Sequence, residues 1–200
     1  MTAIEVLGVR QPSLQLPDEF VLVATEHRSR NVEKVRVERY QAQAPPVPFR
    51  AHATLVYGND DRLLSFNRFT VPLDAPLPDL AEAQAIARRV FTELDPDYAA
   101  GLEYIRTDKL RREVVDAKGA VVPIPIRWVK FTHENGSYNW VSVGAGGAVV
   151  EYERESMWDY RENWRATEEW NYDQWVLARA GKAVQPPAPE AVAWGRDHGR

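Results

Sequence analysis

The sequence predicts an α+β protein: two antiparallel β-meanders related by a degenerate repeat, packed with an amphipathic helix and a Trp-rich C-terminal helix. Three stretches carry that prediction. In 127–156, apolar side chains alternate through Trp128, Val129 and Phe131, then Tyr138, Trp140, Val141 and Val143, then Val149, Val150 and Tyr152. Glu134-Asn135-Gly136-Ser137 and Gly144-Ala145-Gly146-Gly147 separate the runs, as reversals between half-buried strands require. In 80–94 the spacing becomes helical, with Leu80, Ala83, Ile86, Ala87, Val90, Phe91 and Leu94 recurring along one face. In 157–180, Trp158, Tyr160, Trp164, Trp170, Tyr172 and Trp175 stand among many charges. At about 100° per residue all of these except Trp170 share a broad face.

Taken in order, residues 2–18 carry Pro12 and Pro17 and read as a loosely patterned arm that packs on the rest without being an element of its own. Residues 20–25 form a short strand and 27–31 a polar turn. Val32, Val35, Val37 and Tyr40 then continue as a half-buried strand. Pro45, Pro46 and Pro48 have no N–H to give a ladder, so 44–48 is a loop. Residues 52–57 and 62–71 make a hairpin about Gly58-Asn59-Asp60-Asp61, and 72–79 is a proline-broken connector. Asp79 is the N-cap of the helix, with Glu82 three residues on, and Asp95-Pro96-Asp97 ends it. Residues 102–108 and 111–115 are strand or irregular, set apart from the meander by Lys118-Gly119 and by Pro123 and Pro125. The aromatic helix, interrupted near Asn171, stops at Gly181, and an extended tail begins at Pro186-Pro187-Ala188-Pro189. The resulting divisions are a β-rich half over 1–76, a helix, meander and Trp-rich helix over 77–182, and a Pro-rich tail over 183–200.

A chain of 200 residues with 44% hydrophobic side chains has the means to bury one sizeable core or two small ones. With no cysteine, neither a disulfide framework nor a thiolate site or nucleophile is available. Net charge is −4 with acids and bases interspersed, so the basic stripe of a nucleic-acid binder is missing and no such partner is expected. No apolar run is long enough to span a bilayer, and no membrane association is expected. The opening residues lack the basic start, apolar run and cleavage site of a secretory signal, so the expected location is cytoplasmic.

Laid over one another without gaps, HATLVYGNDDRLLSFNR from His52 and YNWVSVGAGGAVVEYER from Tyr138 align at an offset of 86 residues. Gly58 then meets Gly144, Leu63 and Leu64 meet Val149 and Val150, Phe66 meets Tyr152, and Arg68 meets Arg154. The alternative is that any two amphipathic hairpins align this well. A true repeat implies two related sheets, each needing a helix to cover its apolar face. The helix LAEAQAIARRVF, a connector and a three-strand meander ending in YNWVSVGAGGAVVEYE resemble the PepSY-like modules, which often occur in tandem. The resemblance covers 79–156 well and 20–71 poorly, and it contains no catalytic signature. It implies a non-catalytic interaction or regulatory module with a protein partner. Modules of that family are mostly exported, which the opening of this chain does not match.

Residues that carry chemistry are sparse. His133-Glu134 offers a histidine beside a carboxylate, but a lone pair in a hairpin turn is more often solvated surface. His27, His52 and His198 have no metal-ligand spacing, so no metal is expected. Gly144–Gly147 leads into a strand, whereas a phosphate loop leads into a helix, and no other cofactor motif occurs. Ser65, Ser137, Ser142 and Ser156 have no triad partner in the sequence. Six of the seven tryptophans lie between 128 and 175. They read first as core and docking contacts, and otherwise as a stacking platform flanked by Glu151, Glu153, Glu155, Asp159, Glu162, Glu168, Glu169 and Asp173, or as a partner-binding patch. The binding residues expected on such a patch are Trp158, Arg161, Trp164, Arg165 and Trp170. The alternative function is a carbohydrate or small-ligand binding protein, or a hydrolase, using that face and the acids around it.

Overall fold

The computed structural model describes residues 1–192, so His198 and the end of the 183–200 tail lie outside the described residues. The chain runs β1 (Thr2–Val6), β2 (Val9–Leu16), β3 (Val21–Arg30), β4 (Glu33–Gln41), β5 (His52–Tyr57) and β6 (Leu63–Phe69) before reaching α1 (Leu80–Leu94) and α2 (Pro96–Ala100). It continues through β7 (Leu102–Val115), β8 (Val121–His133), β9 (Tyr138–Val143) and β10 (Val149–Ser156). Two-residue strands β11 (Trp158–Asp159) and β12 (Trp164–Arg165) and the short helix α3 (Asp173–Arg179) complete it. The fold is α+β and dominated by antiparallel sheet.

The two meanders do not form separate sheets. They join in one eight-stranded sheet of order β3-β4-β5-β6-β10-β9-β8-β7. At its centre β6 pairs with β10, with Ser65 opposite Glu153, Phe66 opposite Tyr152 and Asn67 opposite Glu151. Each four-strand ribbon alone would leave this strand as an open edge of unpaired N–H and C=O groups, and the pairing removes both edges at once. The expected boundary at residue 76 falls in the connector between β6 and α1, and the sheet passes across it.

One face of the sheet is covered by α1. Asp79 caps it by accepting the Glu82 N–H at 2.8 Å, and Ala83, Ile86, Ala87, Val90 and Phe91 point inward. Phe91 packs edge-on to Phe131 at 5.7 Å and tilted against Tyr152 at 5.0 Å. The N-terminal arm adds to this layer as a true hairpin, turning at Leu7 and Gly8, which both have positive φ. Its buried Ile4, Val6 and Leu14 join the same core, which supplies the reason a proline-bearing segment becomes ordered.

Residues 157–192 cover the opposite face, but not as the expected aromatic helix. Asp159 Oδ1 accepts the N–H groups of Arg161 and Glu162 at 2.9 and 3.2 Å, and Asn163 takes a left-handed φ of 58°. These local turns compete with helix and return the chain as the β11–β12 hairpin, leaving only Asp173–Arg179 helical. The segment still crosses the junction of the two halves. Trp170 packs against Val35, Val37, Val56 and Leu64, while Tyr172 packs against a cluster holding Phe69, Ile124, Ile126 and Val150.

Three smaller differences follow from pairing. The turn expected over 27–31 sits at Asn31 and Val32, both with positive φ, because β3 stays paired with β4 as far as Arg30. The segments 102–108 and 111–115 are one strand. Pro123 and Pro125 lie inside β8, where among the described residues it pairs with β7 alone, since pairing with β9 begins at Arg127. A strand open on one side tolerates proline there.

Phe91→Ala is expected to lower stability by about 3–5 kcal/mol in urea unfolding, while Leu80→Ala on the exposed side of the same helix changes it by under about 0.5 kcal/mol.

Candidate functional site

Alternation along Glu151-Tyr152-Glu153 sends Tyr152 toward α1 and both glutamates toward the C-terminal segment. Glu151 and Glu153 are 0% and 1% exposed, so each carboxylate must be held by donors. Glu153 receives Arg30 Nη2 at 2.8 Å, the Ser65 hydroxyl at 2.7 Å and Asn171 Nδ2 at 3.0 Å. Glu151 receives Arg112 Nε at 2.7 Å, the Tyr172 hydroxyl at 2.8 Å and the Ser142 hydroxyl. Asn67 and Asn171 bond each other between the two acids. The result is a closed polar seam along the middle of the sheet.

Arg165 continues it, pairing with Glu169 and reaching Glu190 at 3.5 Å, with its guanidinium 4.8 Å from the Trp140 ring. Burial pushes the Glu169 carboxyl well above the usual carboxylate range despite Arg165, and the neighbouring Glu190 is held below it. One proton between the two acids accounts for both directions. Burial and the charge of Glu151 push the Tyr172 phenol well above its usual value, so it stays a donor.

Beside the seam, His52 is buried on β5. Its Nδ1 lies 2.7 Å from the Arg50 carbonyl and 4.0 Å from Asp173 Oδ2. Asp173 takes both Nη atoms of Arg39 at 2.8 Å and the Phe49 N–H at 2.6 Å. Burial, then Arg39, lowers the imidazole to about 4, so it is neutral and donates to Arg50 through Nδ1–H.

Of the five residues expected on an aromatic patch, Trp158, Arg161, Trp164 and Arg165 share the β11–β12 hairpin, with Trp158 opposite Arg165, and Trp170 follows it. Trp158 and Trp164 are partly buried on the β11–β12 hairpin, and Arg161 is exposed in its turn. Arg165 faces the interior. Trp170 donates Nε1–H to the Ser29 carbonyl at 2.8 Å and meets Trp175 edge-on at 4.9 Å. His133 stacks on Tyr98 at 4.1 Å, and its Nδ1 accepts the Asn135 N–H, so it locks the turn. Gly144–Gly147 joins β9 to β10 as a tight turn, with positive φ at Gly146 and Gly147 and a bond from the Gly146 N–H to the Pro76 carbonyl.

This turn also walls a cavity of about 830 Å³ that the sequence does not announce. The cavity opens where β6 leaves the sheet and β10 enters it, bounded by the end of the N-terminal hairpin and the 70–73 connector. Phe20, Leu73, Ile124 and Val150 supply apolar surface, and Arg68 supplies a buried guanidinium. The one sequence signal for Arg68 is its alignment with Arg154. Among the described residues no group of three or more His, Asp or Glu side chains is arranged to hold a metal, and no helix is long and apolar enough to cross a membrane. Compared with protein-family models, curated proteins and solved structures, the chain finds no match.

Arg30→Met leaves Glu153 buried without its cation, and a loss of about 3–5 kcal/mol in urea unfolding is expected. His52 supplies a pH prediction: its folded pKa of about 4 lies below the ordinary 6.5, so its contribution is full above pH 6.5 and lost as pH falls toward 4. That loss is on the order of 3 kcal/mol, and His52→Gln should flatten the stability-versus-pH curve across this window.

Proposed function

We propose that the chain is a non-catalytic binding or regulatory module of the PepSY-like kind, whose occupant enters the cavity between the N-terminal hairpin and the glycine turn. One observation carries the reading. The buried acids Glu151 and Glu153 each face an arginine and two further donors, which hold them ionised and occupied inside the protein. The groups that resembled a reaction centre in sequence act as internal struts. The cavity, in contrast, has the size and mixed lining of a small-molecule site.

The tandem character of the reading is supported by the strand order, which repeats from each edge to the middle. The offset of 86 residues lays β5 over β9 and β6 over β10, and its superposed pair, Phe66 and Tyr152, are the residues opposite each other at the centre. A duplication whose equivalent strands pair across a two-fold axis generates this register.

The test is amide chemical-shift mapping with a fragment set of anionic, neutral and cationic compounds, each fragment recovered and checked for change. Perturbation of Phe20, Leu73 and Ala148 with unchanged fragments is expected. Perturbation confined to Trp158, Arg161 and Trp164 would favour the aromatic-face alternative, and conversion of any fragment would end the non-catalytic reading.

A further inference from the structure

Arg68 and Arg154 occupy matching places on the two central strands, two residues beyond Phe66 and Tyr152 respectively. Their surroundings differ. Arg154 Nη1 lies 3.0 Å from Asp95 Oδ2, its Nε lies 3.0 Å from Glu155 Oε1, and its guanidinium stacks 3.6 Å from the Tyr98 ring centre. Arg68 is 9% exposed and donates through Nη1 to the Gln15 carbonyl at 3.2 Å. Its Nε is buried without a partner. Among the described residues no carboxylate pairs with it, and burial alone pulls the guanidinium below its ordinary value. A cation held out of water without a countercharge is costly, and α1–α2 supplies Asp95 to Arg154 but nothing equivalent to Arg68.

The acids around the cavity are engaged elsewhere or lie at its mouth. Asp18 receives the N-terminal ammonium at 2.6 Å and the Thr2 hydroxyl at 2.7 Å. Glu93 faces Arg89 on α1 at 3.7 Å with its Oε2 buried and unpartnered, away from Arg68, and Glu19 is exposed. The remaining walls are mixed, with apolar surface from Phe20, Leu73, Ile124 and Val150. Arg68 is thus a buried cation in the cavity wall that no carboxylate meets, and a carboxylate on a partly apolar body would answer it.

We propose that the cavity takes a small amphiphilic monocarboxylate, its carboxylate paired with Arg68 and its apolar part lying against Phe20, Leu73 and Val150. This rests on the cavity being the binding site of the module. A guanidinium presents two parallel N–H donors to a carboxylate, which fixes the head group while the tail fills the remaining volume.

Isothermal titration with octanoate, octanamide and octylammonium, all below self-association, separates charge from bulk. The wild-type chain should bind octanoate at least roughly tenfold more tightly than either other probe, the increment of one charge-assisted pair. Arg68→Met should abolish that preference while leaving octanamide binding unchanged. Arg68→Lys should keep it in weaker form, and Arg89→Met, at the rim, should leave it intact. Equal affinity of the wild type for octanoate and octanamide would overturn the carboxylate assignment and leave the binding module standing. A preference that survives in Arg68→Met would overturn the role of Arg68. If no probe binds and no fragment perturbs the cavity, both readings fall together.

Discussion

Three residue pairs, Ser65 with Glu153, Phe66 with Tyr152 and Asn67 with Glu151, join β6 to β10 and make two four-strand ribbons into one sheet. Both faces of the molecule are decided there. Phe66 and Tyr152 form the floor beneath α1, and the four polar partners form the floor beneath the C-terminal segment. The helix and the segment are therefore placed by the same few residues.

The polar seam does more than neutralise charge. A slip of one residue between β6 and β10 would turn Glu151 and Glu153 toward Phe91 and Val90, where no donor waits. The cost of burying two bare carboxylates excludes that register, so ion pairs that add little net stability still specify the arrangement. Arg30, Arg112 and Arg165 come from three distant parts of the chain and meet on this one line.

What was legible in the sequence was local. The helix from Leu80 to Leu94 and its Asp79 cap are written in spacing and a single side-chain bond, and the two hairpins in alternation and glycine turns. What was hidden depends on distant partners. Pro12 disguised a hairpin that only Leu14 and its neighbours in the core explain, and Pro123 and Pro125 disguised a strand with one open side. The aromatic period of 157–180 suggested a helix, yet Asp159 and Asn163 turned the chain first. Arg68 looked ordinary, because its standing comes from the absence of a countercharge, and no local pattern records an absence.

The order in which the seam's members appear along the chain has a consequence for synthesis. Arg30 waits 123 residues for Glu153, and both central glutamates precede Asn171 and Tyr172, which close over them. No contact that spans this distance can form before its later member has been made, and closures of such long range are what slow a sheet of this kind in reaching its native pairing.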